Sequence, residues 1–129
     1  MKVVFLIDDD SDDREIFQES LLSLETSVRY EEAGHGKEAF EKLNAEGFQK
    51  PDLIFLDLNM PVMDGREFLK NIKQDDGLKN IPVIIYSTSS SVEDKMFATK
   101  HEAAQFITKP YSIAAIREEL EKAITKFLS

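Results

Sequence analysis

The chain has 129 residues, a formal net charge of −9 and no cysteine. That length supports one domain with a real core, and the lack of thiols excludes thiolate nucleophiles, disulfides and Cys-ligated zinc. Its Lys and Arg are scattered, so it lacks the basic footprint that direct nucleic-acid binding needs; the acidity suits cation binding as well as an ordinary solvated surface.

Met1 to Ile7 begins like a signal peptide, but Asp8-Asp9-Asp10 ends the apolar run. No stretch is long enough to span a bilayer, so no membrane partner is expected and the cytoplasm is the expected location. Lys2 to Ile7 reads as a buried strand. Ser11, Asp12 and Asp13 make a helix start, because acids in a first turn complement the helix dipole, and Ile16, Phe17, Leu21 and Leu24 line one face of that helix. Val28 to Ala33 suits an edge strand with one wet side, and Gly34-His35-Gly36 is a turn.

Lys37 to Ala45 reads as a short helix burying Ala39, Phe40 and Leu43. Leu53 to Leu56 is apolar without alternation, as in a strand covered on both faces of a parallel sheet. It ends in Asp57, after which Pro61 and Gly65 turn the chain into a helix with Phe68, Leu69 and Ile72 inward. Pro82 to Tyr86 is a fourth strand, its proline at the permitted first position. Ser90 and Glu93 have capping-box spacing before the next helix. Gln105 to Thr108 is a short fifth strand. A helix from about Ser112 carries Ile113, Ile116, Leu120, Ile124 and Phe127 at helical spacing and should bury them.

Strand–helix alternation five times over, with short connections, implies an α/β fold with a parallel sheet between helix layers. In such a sheet the carboxyl ends share one edge. Strands one, three, four and five end in Asp8-Asp9, Asp57, Ser87 and Lys109. With a flavodoxin-like strand order the switch point lies between strands one and three, which places Asp8 and Asp9 beside Asp57. Three carboxylates there repel unless a proton or cation relieves them. Oxygen ligands and access to water favour magnesium, with manganese and calcium chemically admissible.

The set supports phosphoryl chemistry. Asp57 can attack phosphorus and carry the group as an acyl phosphate. Magnesium and Lys109 would balance charge on the equatorial oxygens, and Ser87 would donate a hydrogen bond to one of them after transfer. Asp9 would bind the metal directly, Asp8 through water, and Asn59 through its backbone carbonyl. Two rival classes fit less well. A dehalogenase-like phosphatase would carry a second acid where Asn59 stands, together with a cap domain. A flavin-binding electron carrier would meet three aspartates that repel the FMN phosphate.

On Asp8-Asp9, Asp57-Leu58-Asn59-Met60-Pro61, Asp64-Gly65, Ser87 and Lys109-Pro110, the chain resembles a response-regulator receiver domain of the free-standing, chemotaxis-like kind, over its whole length. The resemblance implies strand order 2-1-3-4-5 in a doubly wound, flavodoxin-like sheet with five helices. It implies magnesium-dependent phosphotransfer to Asp57 from a sensor histidine kinase or another phosphohistidine carrier. It also implies a cis Lys109-Pro110 peptide. Such a module is not an enzyme in the ordinary sense; it catalyses only its own phosphorylation and dephosphorylation. The chain departs from the family's habits at Ser87, where threonine is commoner, and at Thr88, where a small residue is preferred. Phe106 takes the switch-aromatic position, and the positions that tune hydrolysis in this family are Asn59 and Ser89. A degenerate receiver acting as a scaffold would lack the acid, hydroxyl and lysine set present here.

A single receiver domain over 1–129, with no output domain, is expected to signal by contact with a downstream protein or by passing the phosphoryl group on. Phosphorylated Asp57 would draw Ser87 inward and Phe106 would fill the vacated space. That would alter a face on the fourth helix, fifth strand and fifth helix around Met96, Lys100, Phe106 and Tyr111. A monomer or weak dimer is expected.

Overall fold

Five strands alternate with five helices in the computed structural model, which describes residues 1–128. The strands are β1 (Lys2–Ile7), β2 (Val28–Ala33), β3 (Leu53–Leu56), β4 (Val83–Ser87) and β5 (Gln105–Thr108). The helices are α1 (Ser11–Leu22), α2 (Gly36–Leu43), α3 (Gly65–Gln74), α4 (Val92–Lys100) and α5 (Ile113–Leu128). The strands form one parallel sheet in the order β2-β1-β3-β4-β5, the doubly wound arrangement expected from the alternation.

The sequence of β3 explains its place. All four residues are buried because strands flank it and helices cover both faces. Successive side chains go to opposite layers. Leu53 and Phe55 pack with Phe17, Leu21 and Leu120 of α1 and α5, whereas Ile54 and Leu56 pack with Phe68, Leu69 and Ile72 of α3. Phe17 stands edge-on to Phe55 and Tyr86, with ring centroids 5.0 and 5.5 Å apart, which ties α1 to the middle of the sheet. At the edge, β2 buries Val28 and Ala33 and leaves the four residues between them partly or fully exposed, as its mixed polarity dictates.

The helix ends refine the sequence reading. Asp10, ahead of the expected start, caps α1 by accepting from the Asp12 and Asp13 amides. Ser91 rather than Ser90 caps α4, accepting from the Asp94 amide at 3.1 Å. Three consecutive serines give the cap no unique position in sequence, and packing of the helix decides it. Ile116, Leu120 and Ala123 form the buried line of α5, with Ile124 and Phe127 partly buried. Ile113, at the first position of α5, is exposed rather than buried with that line. Ile16 of α1 is likewise exposed.

Candidate functional site

The parallel ladder runs one residue past the strands and so delivers the polar ends. Ile7 pairs with Leu56, and the Asp57 amide donates to the Ile7 carbonyl at 2.9 Å, which sets Asp8 and Asp57 side by side. On the outer side, the Asp8 amide donates to the Ala33 carbonyl at 3.0 Å. Beyond β4, the Lys109 amide donates to the Ser87 carbonyl at 2.7 Å.

Asp8, Asp57 and Ser87 are buried; Asp9 is exposed. Asp8, Asp9 and Asp57 each offer a carboxylate oxygen, and the three atoms lie within 4.8 Å of one another. Lys109 reaches into the cluster. Its Nζ lies 2.7 Å from Asp8 Oδ2, 2.8 Å from Asp13 Oδ2 and 3.8 Å from Asp57 Oδ2, with the Tyr86 ring 5.7 Å beneath it. One ammonium thus faces three carboxylates, with Asp9 beside two of them. Asp8 Oδ1 accepts from the Asp10 amide, while the buried Asp8 Oδ2 has no hydrogen-bond donor beyond its ion pair with Lys109.

The electrostatics follow from burial and crowding. Burial raises the Asp57 carboxyl to about 6; the Lys109 charge opposes the rise and Asp8 adds to it. Asp8 is raised for the same first reason, with Lys109 again opposing. Burial works against the Lys109 ammonium, but its hydrogen bonds to Asp13 and Asp8 outweigh that and hold its pKa above the ordinary lysine value. A carboxylate cluster with excess negative charge, oxygen donors only and an under-bonded Asp8 oxygen fits a hard divalent cation.

The loop after β3 is shaped by Gly65. A Cβ built there would lie 2.1 Å from the Asp57 carbonyl oxygen, so only glycine lets the first turn of α3 approach the Asp57 backbone this closely. The Gly65 amide donates to the Leu58 carbonyl at 2.9 Å, and Asp64 caps α3 through the Arg66 amide.

The remaining expected residues are spread around this centre. Asn59 is exposed, and its amide donates to Asp57 Oδ1 at 3.4 Å. Ser89 is half-buried and its amide donates to Ser87 Oγ at 3.3 Å. Phe106 is half-buried and pairs in register with Ile85, two residues before the Ser87–Thr108 pair. It packs on the same side of the sheet as Ala98 of α4. The Lys109-Pro110 peptide is trans, as are all described peptide bonds, which corrects the expected cis bond. An X-Pro bond prefers trans by about 0.5–1 kcal/mol, and here Lys109 meets both its backbone and its side-chain partners in that form.

Asp13 escaped the sequence reading, which treated it only as a first-turn acid. Helical side chains lean toward the N-terminus, so an acid one turn past the Asp10 cap points back at the sheet edge and meets Lys109. Arg14 was also missed: its Nη1 donates to the Asp8 carbonyl at 2.7 Å while its Nε pairs with Glu32 at 2.9 Å, bracing the turn that carries Asp8 and Asp9.

Residues 4–121 match the family model described as the response regulator receiver domain. The chain is 34% identical over 121 residues to chemotaxis protein CheY1 of Helicobacter pylori, covering 92% of this chain and 93% of that one. It is 36% identical over 110 residues to the sensor histidine kinase CheAY of the same organism, covering 85% of this chain but 13% of the kinase. Among solved structures it resembles the phosphorylated cyanobacterial phytochrome response regulator RcpA, with a TM-score of 0.91 and 32% identity, covering 99% of this chain and 94% of RcpA.

Proposed function

The chain belongs to the response regulator receiver domain family of two-component signalling, and from that premise we propose that it takes a phosphoryl group from a phosphohistidine onto Asp57. The observation that carries this is the meeting of Asp57 with Asp8, Asp9 and Lys109 at one sheet edge. An Asp57 oxygen forms the new bond to phosphorus as the nitrogen–phosphorus bond of the donor breaks. The electron pair stays on the imidazole, which leaves neutral when its other nitrogen carries a proton. Asp57 is raised only to about 6, so near neutral pH it is largely the ionised nucleophile the step needs.

Asp9 and Asp57 would hold a magnesium ion (manganese and calcium share its ligand chemistry), with Asp8 acting through water and Asn59 through its backbone carbonyl. The ion supplies charge neutralisation on the transferring phosphoryl. Lys109 sits close enough to swing from Asp8 to an oxygen of the new acyl phosphate. Ser87, at the end of the adjacent strand, would donate a hydrogen bond to another. Phe106 shares the α4 side of the sheet with Ser87, which supports a two-state change presented on α4, β5 and α5 around Met96, Lys100, Phe106 and Tyr111. Met96 and Tyr111 are exposed there.

The proposed partners are a sensor histidine kinase or phosphotransfer protein upstream and a protein downstream. The likeness to RcpA in its phosphorylated form, and to a stretch of a sensor histidine kinase, supports this. The test is transfer of radiolabel from a phosphorylated histidine phosphotransfer protein. Label should move to the wild-type chain and not to Asp57→Asn; equal labelling of both would overturn the assignment.

A further inference from the structure

Two loops frame the mouth above Asp57, the one leading from β3 to α3 and the one leading from β4 to α4. Arg66, on the first turn of α3, reaches across to Asp94, on the first turn of α4, with Nη2 2.7 Å from Oδ1. Each partner also grips the loop that leads into its own helix. Arg66 Nη1 donates to Asn59 Oδ1 at 3.4 Å and to Asp64 at 3.3 Å. The other Asp94 oxygen accepts from Ser89 Oγ at 2.6 Å. The two ends continue inward, since the Asn59 amide donates to Asp57 Oδ1 and the Ser89 amide donates to Ser87 Oγ. A continuous chain of polar contacts therefore runs from Asp57 through Asn59, Arg66, Asp94 and Ser89 to Ser87.

An exposed ion pair by itself contributes little. This one differs: the Asp94 side chain is 16% exposed and the Arg66 side chain 33%. Asp94 is held below the usual carboxylate range, first by the Ser89 hydroxyl and then by the Arg66 guanidinium. Its backbone is fixed as well by the Ser91 cap. Asn59 and Ser89, whose amides reach Asp57 and Ser87, are thus held through their side chains by the same bridge.

We infer that Arg66 and Asp94 are positioning residues, a clasp across the two loops that holds Asn59 and Ser89 over Asp57 and slows attack of water on its acyl phosphate. This rests on the phosphoacceptor reading above. In hydrolysis the water oxygen forms a bond to phosphorus and the bond to the Asp57 oxygen breaks. Its electron pair returns to the carboxylate, and the water proton passes to solvent as inorganic phosphate departs. The reaction needs the water in line with the breaking bond. Asp57 is buried at the end of β3, where the loops that the clasp ties leave the sheet.

The test follows decay of the phosphorylated chain, labelled with acetyl phosphate and magnesium and then freed of donor, for Arg66→Met, Arg66→Lys, Asp94→Asn, the Arg66→Met/Asp94→Asn double variant and Glu93→Gln. Glu93 neighbours the clasp on α4 and takes no part in it. Arg66→Met and Asp94→Asn should each lose the phosphoryl roughly five- to tenfold faster than wild type. The double variant should be no faster than the faster single one, Glu93→Gln should decay as wild type does, and Arg66→Lys should fall between. Unchanged decay in both single variants would overturn the clasp, as would effects that multiply in the double variant or equal acceleration by Glu93→Gln. A wild-type chain that takes up no phosphoryl would overturn the phosphoacceptor reading itself, a result distinct from any of these.

Discussion

Lys109 makes its shortest ion pair with Asp8, at 2.7 Å, and stands more than an ångström farther from the residue it would serve. The ammonium is parked on a fully buried carboxylate whose outer oxygen has no other donor. Replacing Lys109 by Met would strand that charge. The variant should lose about 3–5 kcal/mol in urea unfolding at neutral pH with chelator present, and magnesium should return part of the loss. A loss below about 1 kcal/mol would show that Asp8 is not compensated by Lys109.

The raised carboxyl of Asp57 makes stability depend on pH in a defined direction. Its value is 3.8 unfolded and about 6 folded, so the fold favours the protonated form. The group costs nothing below about pH 4, its cost grows as pH rises from about 4 to about 6, and it is constant above. That cost reaches on the order of 3 kcal/mol. Asp57→Asn should therefore be more stable than wild type at pH 8, with the gap closing on acidification to pH 4, in urea titrations without metal. A gap that is flat or widens toward acid would contradict the raised value.

Asp9 is exposed, so its change to Asn should alter metal-free stability by no more than about 0.5 kcal/mol. A ligand that binds only the folded state stabilises it, by about 2.7 kcal/mol at a hundredfold excess over its dissociation constant. Magnesium should raise the unfolding midpoint of wild type, and Asp9→Asn should blunt that rise. An equal rise in both chains would remove Asp9 from the metal site.

Val62 adopts φ +67° in the loop between Asp57 and Gly65, a left-handed conformation that is unusual for a β-branched residue, and it is exposed. Val62→Gly should stabilise the chain by about 1 kcal/mol, the relief of the left-handed cost less the entropy of glycine. A destabilised variant would show that the Val62 side chain holds the loop.

Much of this architecture is written locally. The unbroken apolar run of β3 and the three- and four-residue spacing along α5 announce their elements because burial imposes those periods. The carboxylate cluster was legible for a related reason: parallel strands bring their carboxyl ends to one edge, so residues far apart in sequence at strand ends become neighbours. Asp13 and the Arg66–Asp94 bridge were not legible. Each depends on how a helix is rotated and how far it projects, which side-chain packing sets after the chain has folded. Ile113 misled because a helical stripe does not say which end of it packing covers.

The central claim, that Asp57 accepts the phosphoryl group, is met most directly by intact mass measurement after incubation with acetyl phosphate, with magnesium or with chelator. Asp57 as acceptor predicts one added phosphoryl on the wild-type chain with magnesium, none with chelator and none on Asp57→Asn. One added phosphoryl on Asp57→Asn at wild-type yield would contradict it.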